Sequence, residues 1–475
     1  MKKIFIYLLS LMVLTSCVDN LDDFNVDEKR ASQVPAATLF TGALKSLTDV
    51  MTTPNVNTNN YRFYVQHWTS TQYLDEPRYN MTSRTIPQSM FQTLYRDVLA
   101  DLNDAKRLIQ ENEAILAEVR SNQLAQAEII EVYTWSILLN TFGNVPYSQA
   151  LDPDVSLPAY DDAATVYNDI LDRLDAALQL IEPTANGFGD ADVLYDSDMA
   201  MWVKFGNSLK LKLAMVIADV DPDQAKTLVE AAAPNVFTSN ADNAAFPYLP
   251  NPPNNNPVSD ALNPIRTARE DYVPANTLVD AMNALEDPRR ASYFTQIGGV
   301  YKGGRYGFTN SYAELSHVHG DIIALDFEAL LLDYVEVEFL LAEAVERGFN
   351  VGGTAAAHYN AAVTASFDYW GVTGAAAYLA KPQVNYATAS GDWKQKIGTQ
   401  KWIALYNRGF DAWLEWRRLD APNLLPPAVE GLDLTVPTRL IYPVNEQTLN
   451  GANRNAAAAA IGGDESFTKL WWDIN

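Results

Sequence analysis

Two glutamates seven residues apart, Glu336 and Glu343 in EVEFLLAEA, fall on nearly the same face of a helix. Paired carboxylates can do acid–base work on a glycosidic bond. The chain has 59 acidic residues, so such pairs also arise by chance and this one carries little weight. The four histidines are His67, His317, His319 and His358. His317 and His319 share a face only on an extended segment. Two ligands are too few for a closed metal site, so no metal is expected. GGVYKGGRYG lacks the Lys-Ser/Thr ending of a phosphate loop, and its glycines read as tight turns. There is no G-x-S-x-G elbow, and the sole cysteine is Cys17, near the N-terminus. No catalytic residue, cofactor or metal is assigned from these residues.

The residues best suited to recognition are aromatic and lie in two loop-like stretches. NYRFYVQHWTSTQYLDEPRYN, residues 60 to 80, places Tyr61, Tyr64, Trp68, Tyr73 and Tyr79 among Gln66, Gln72, Asp75 and Arg78. The second stretch offers Tyr301, Tyr306, Phe308 and Tyr312 with Lys302 and Arg305. Rings of this kind stack on the C–H faces of sugars while polar neighbours take hydroxyls, at low entropic cost. The competing reading is a packed loop core. Loops on rigid scaffolds tend to carry binding. The ligand-binding candidates are therefore Tyr61, Tyr64, Trp68, Tyr73, Tyr79, Tyr301, Tyr306 and Phe308.

The elements that must hold these loops are mostly helical. PQSMFQTLYRDVLADLNDAKRLI spaces Phe91, Leu94, Val98, Leu102, Ala105 and Ile109 at three- and four-residue steps, which predicts one apolar stripe. QLAQAEIIEVYTWSILLNTFG predicts a second helix, stopped by Gly143 and Pro146. A third carries Tyr167, Ile170, Leu174, Leu178 and Ile181 and ends at Pro183, and a fourth runs from about Met199 to Val220. The Asn- and Pro-rich stretch 237–263 and the glycine-broken stretch 293–319 predict loops. Helices are expected near 275–285, 330–347, 355–370 and 399–419, with an irregular final quarter. Long helices with short loops suggest stacked antiparallel pairs, although no 34-residue repeat signature is present.

Composition narrows the class. Hydrophobic residues make up 48 % and aromatics 11 %, with 24 tyrosines and 10 tryptophans, so a packed core is expected. The net charge of −25 argues against nucleic acid and against anionic membrane surfaces. With one cysteine no internal disulfide forms, and stability must come from core burial.

The N-terminus supplies an address. Lys2 and Lys3 precede an apolar run from Ile4 to Val13, too short to span a bilayer. Residues 1–16 therefore read as a signal peptide. Leu14-Thr15-Ser16-Cys17 resembles the bacterial lipobox, which implies cleavage before Cys17 and lipidation there; a plain signal followed by a stray cysteine is the other reading. Two or more acyl chains anchor stably. Residues 17–33, with Asp19, Asp22, Asp23, Asp27 and Glu28, read as an acidic tether. This acidic start resembles the export signal of surface lipoproteins in Bacteroidetes.

Several stretches in order resemble the SusD/RagB nutrient-binding lipoproteins. They are TFGNVPYSQAL, PAYDDAATVYNDILDRLDAAL, WVKFGNSLKLKLAM, DYVPANTLVDAMNALEDPRRASYF, YVEVEFLLAEAVERG, TQKWIALYNRGFDAWLEWRRLDAPNL, TRLIYPVNEQTLN and the closing KLWWDIN. Asn144 and Lys212 stand where Asp and Arg are commoner. The resemblance, to the SusD-like branch in particular, implies an all-α fold of stacked tetratricopeptide-like helix pairs with long loops over one face, as a single domain from 34 to 475. It implies an outer-membrane, cell-surface lipoprotein that captures an oligosaccharide or an oligopeptide. Such a protein acts as a lid on a SusC-type TonB-dependent transporter and performs no chemistry itself, so the resemblance implies a non-enzyme. A lipid-anchored glycan hydrolase is the competing class. Within these motifs, GNVPY reads as a helix stop and turn, with Tyr147 structural. In EWRRLD, Glu415, Arg417 and Arg418 read as internal ion pairs or carbonyl caps, with Trp413 and Trp416 as core.

Overall fold

The computed structural model describes residues 34–474. The expected signal peptide 1–16, lipidation at Cys17 and tether 17–33 lie outside them. From Ala36 onward the elements form one compact unit. No helix among the described residues is long and apolar enough to cross a membrane.

The first helix, α1 (Ala36–Thr52), was not singled out by periodicity, yet it buries Phe40, Ala43, Leu44, Leu47 and Val50. The short α2 (Tyr61–Tyr64) leads into β1 (Trp68–Ser70). The stripe from Phe91 to Ile109 lies on three contiguous segments: α3 (Ile86–Gln92), a π-helical stretch (Thr93–Leu99) and α4 (Ala100–Glu111). All six stripe residues are buried, so the apolar spacing survives the widened turn. α5 (Ala117–Phe142) is apolar around most of its C-terminal half and is accordingly buried on every side there.

α5 ends at Gly143, whose φ of +82° suits glycine. A two-residue ladder follows, β2 (Val145–Pro146) against β3 (Tyr160–Asp161). α6 (Ala163–Leu180) starts at Asp162, which caps Thr165 N, and packs on α5. α7 (Met199–Val216) packs on α8 (Pro222–Ala232), whose first-turn proline and Asp221 cap mark its start.

The middle of the chain carries β4 (Ala244–Phe246), α9 (Pro257–Leu262), β5 (Tyr272–Pro274), α10 (Asn276–Ala284) and α11 (Arg290–Tyr293). The expected helix 330–347 divides. Its first residues form β6 (Ala329–Leu332), paired with β4, and α12 (Tyr334–Glu346) begins only where Asp333 caps Glu336 N. A leucine run fits strand or helix equally, and the cap decides the boundary. α12 packs against α13 (Ala355–Tyr369), followed by α14 (Ala375–Leu379).

The expected helix 399–419 is two helices, α15 (Trp393–Ala404) and α16 (Gly409–Leu419). Asn407 takes φ +71° at the break. At Gly409 a Cβ would stand 2.7 Å from Arg62 N, so the α2 backbone fits only against glycine. The final quarter is irregular to about residue 443, but then forms α17 (Val444–Leu449) and α18 (Gly451–Ala460).

The helices stack pairwise, α4 with α5, α5 with α6, α7 with α8, α12 with α13 and α15 with α16. The strands among the described residues are short, and most of their residues are buried. A second apolar core, including Phe339, Tyr359, Val363, Phe367 and Ile397, lies among α12, α13 and α15.

Candidate functional site

β1 and β5 form an antiparallel ladder in register Trp68–Pro274, Thr69–Val273 and Ser70–Tyr272. Aromatic and β-branched residues suit such a pair, and Pro274 sits at its end, where a missing N–H does least harm. Thr71 continues the pairing: its N donates to Asp271 O at 2.8 Å and its Oγ1 to Glu270 O at 2.6 Å. The chain then leaves the ladder, and Tyr73 projects with 58 % of its surface exposed.

Tyr73 stands on the wall of a groove of about 730 Å³. The other walls come from the asparagine-rich turn 53–57, α9, the segment 266–272, and Glu76 and Arg84 ahead of α3. The charged lining is Glu76, Arg84, Asp260, Arg266, Arg269 and Asp271, with Tyr272 among them. Arg84 Nε donates to Glu76 Oε1 at 2.9 Å. Arg266 Nε and Nη2 both donate to Asp260 Oδ1, at 3.0 and 2.9 Å. Arg269 lies 3.8 Å from Asp271, beyond hydrogen-bonding range. Burial raises the Glu76 carboxyl above its usual range against the opposing pull of Arg84. An aromatic face beside planar guanidiniums and carboxylates suits a polyhydroxylated ligand.

The two aromatic loops singled out in the sequence meet. Asn310 N donates to Thr71 O at 2.9 Å, so Tyr73 and Phe308 each lie two residues from one hydrogen-bonded crossing. Arg78 Nε reaches Gly307 O at 2.9 Å, and Tyr306 donates its hydroxyl to Phe63 O at 2.6 Å. Most of the candidate rings nevertheless face inward. Tyr61, Tyr64, Trp68, Tyr79 and Tyr306 are all buried. Tyr61 packs on Phe410 and Trp413, Trp68 stacks on Tyr272, and Tyr79 lies 6.3 Å from Tyr306. These five build the wall behind the loops and in this arrangement offer no face to a ligand; α2 and β1 turn Tyr61, Tyr64 and Trp68 into the core, and Tyr79 and Tyr306 lie together there. Tyr73 is exposed, and Tyr301 and Phe308 are half-buried. Phe308 is covered by Arg305, 3.5 Å from its ring centre, and Tyr301 lies under Arg290 at 5.2 Å.

The groove's arginines were not legible as site residues. The one signal was RTAREDY, residues 266–272, in which basic and acidic side chains run directly into a strand.

The carboxylate pair has another role. Glu336 and Glu343 are fully buried. Glu336 meets Arg408 Nη2 at 2.6 Å and Lys212 Nζ at 3.0 Å, and Glu343 meets Arg418 Nη2 at 2.6 Å and Arg347 Nε at 2.8 Å. Lys212 also pairs with Asp411. These groups tie α7, α12 and α16 together and are shut away from any substrate. Lys401 pairs with Glu415 at 2.7 Å, and Arg417 caps Asn140 O and Thr438 O, each at 2.8 Å. Trp413 is core and Trp416 is half-buried. Tyr147 bonds Asp169 and Arg173 beside α6. His67 is buried against Trp402 O, His317 stacks on Tyr312, and His358 pairs with Glu338 at 2.7 Å. Among the described residues no group of three or more metal-ligating side chains gathers.

The chain's relatives agree with this architecture. A family profile described as starch-binding and associating with the outer membrane matches residues 28–443. No curated protein sequence matches the chain. Among solved structures, a chitin-binding protein superposes with a TM-score of 0.80 at 27 % identity, covering 93 % of this chain and all of its own. A chitin-binding SusD homologue from Flavobacterium johnsoniae gives 0.76 at 26 %, covering 92 % and 99 %. A SusD homologue from Bacteroides uniformis gives 0.75 at 29 %, again covering 92 % and 99 %. Stacked helix pairs, irregular loops around the β1–β5 ladder, and a profile match over most of the length establish that the chain belongs to the SusD-like family of starch-binding, outer-membrane-associated proteins.

Proposed function

We propose that this chain is a cell-surface lipoprotein that captures an oligosaccharide in the Tyr73 groove and delivers it, as a lid, to a SusC-type TonB-dependent transporter. The single observation that carries the reading is the exposed ring of Tyr73 on a polar groove of about 730 Å³, in a chain of the starch-binding, outer-membrane-associated family. The chitin-binding neighbours support a saccharide over the oligopeptide alternative. The lipobox-like LTSC supports anchoring through Cys17 after removal of residues 1–16, with 17–33 as the tether to a single domain over 34–475. In this reading the chain supplies recognition and no chemistry, which the pairing of Glu336 and Glu343 inside the fold supports.

Two measurements test this. Affinity electrophoresis against glycans should show retarded migration that Tyr73→Ala removes. Pull-down of the tagged lipoprotein from native outer membrane in mild detergent should recover a large β-barrel in stoichiometric amount. Absence of both glycan retardation and barrel partner sinks the reading, whereas oligopeptide binding with a barrel partner replaces only the ligand.

A further inference from the structure

The Tyr73 groove differs in charge from the chain around it. The whole chain carries −25, yet this groove sets three arginines against three acids. The pairs are layered rather than side by side. The Glu76 side chain is fully buried while that of Arg84 is 29 % exposed, and Asp271 is 16 % exposed while Arg269 is 75 % exposed. Only in the third pair is the acid the outer partner, Asp260 at 52 % against Arg266 at 34 %. In two of three pairs, then, the acid lies beneath and the guanidinium faces the groove.

That layering has a chemical consequence. Glu76 Oε1 holds Arg84 Nε and so fixes the plane of its guanidinium. The other oxygen, Oε2, is buried and takes no hydrogen bond from the protein. Arg269 stands off its acid by 3.8 Å, leaving its planar fork to meet a bidentate anion. Tyr73 supplies an apolar face alongside.

We infer that the groove selects an anionic saccharide, carrying carboxylate or sulfate groups, with Arg269 and Arg84 as the specificity-determining residues. The inference rests on the glycan-capture reading of the same groove. The ligand's anionic group docks on the outer guanidiniums, and the sugar face lies on Tyr73. Because the rest of the chain repels polyanions, an anionic ligand is held only where outer guanidiniums such as these lie above their acids.

The test is calorimetry on the full lipoprotein in mild detergent. The probes are an oligogalacturonate, a sulfated carrageenan oligosaccharide, and uncharged malto- and chito-oligosaccharides. At least one anionic probe should bind about tenfold more tightly than the uncharged ones, and the two anionic probes separate carboxylate from sulfate preference. Arg269→Gln should lower that affinity about tenfold, and Arg269→Lys should recover part of the loss; Arg84→Gln should lower it similarly but also lower Tm, because it strands the buried Glu76 carboxylate. If uncharged saccharides bind as tightly or more tightly, the anionic assignment fails while glycan capture stands. If anionic binding ignores both arginine variants, the assignment to this groove fails. If no saccharide binds, both readings fail. The wild-type preference alone decides the case should a variant fold poorly.

Discussion

Glu336 Oε2 accepts a hydrogen bond from Arg408 Nη2 at 2.6 Å, and both side chains are buried between α12 and α16. Glu336 Oε1 lies 3.0 Å from Lys212 of α7, so one carboxylate joins three helices. Removing a partner from such a group strands an uncompensated charge, which typically costs about 3–5 kcal/mol. Glu336→Ala should therefore lower unfolding free energy by about that amount in urea titration. It should leave ligand affinity of the remaining folded protein unchanged. A folded, fully stable variant that loses a hydrolytic activity would instead restore the enzyme reading.

The same carboxylate sets an acid limit. Burial opposes its ionisation, but Lys212 and Arg408 outweigh that and hold its pKa at about 2. Its folded pKa is thus depressed below the unfolded one. The stabilisation is present above the ordinary carboxylate range, near 4.5, and is lost as pH falls toward 2. His67 acts in the neighbouring window. Burial, helped by Arg62 and opposed by the Trp402 carbonyl, pushes its pKa down to about 3. Between 6.5 and 3 the unfolded chain holds a proton there that the folded one lacks, so stability falls as pH falls. His67→Gln should flatten the pH 6.5–4.5 part of the stability profile, and an unaltered slope there would refute the assignment.

Tyr73 and Tyr64 are nine residues apart in one aromatic stretch but differ in exposure, at 58 % and 1 %. Tyr73→Ala should weaken saccharide binding at least about fivefold, the loss of a contact worth about 1 kcal/mol, with Tm unchanged. Tyr64→Ala should instead cost about 3–5 kcal/mol of stability, as truncation of a buried aromatic does. Differential scanning calorimetry beside a binding isotherm separates the two. Equal effects of both substitutions on binding at constant Tm would show that Tyr64 reaches the ligand.

The second aromatic loop is seated by a glycine without slack. A Cβ on Gly303 would stand 2.5 Å from Asn276 Cα and 2.6 Å from Asn276 N, both backbone atoms at the start of α10. The bridge between Ala275 and Gly304 runs through the same contact. Gly303→Ala should push the loop outward, at about 1–3 kcal/mol as overpacking typically costs. Faster amide exchange at Gly304 and Asn276, whose amides bond Pro274 O and Gly304 O at 2.8 Å each, would report the displacement. Unchanged protection at those amides would show that the loop absorbs the methyl elsewhere.

Helix content and its burial faces were largely written in the sequence. The stripe from Phe91 to Ile109 and that of α6 predict their buried sides because helical period and apolar spacing are local properties. The ordered motifs from Thr141 to Trp472 likewise carry the family, which the profile over 28–443 bears out. Boundaries set by non-local contacts were not legible. Leu330 to Leu332 become strand because β4 lies alongside, and the 399–419 helix breaks because α2 presses on Gly409. The site was legible only as a region. An aromatic ring has the same residue type whether it stacks on sugar or on Trp413, and only packing turned Tyr61, Tyr64 and Trp68 inward while leaving Tyr73 exposed. Arg266 and Arg269, some 195 residues further along the chain, come beside Tyr73 through the β1–β5 ladder, a pairing between segments whose separation no local pattern encodes.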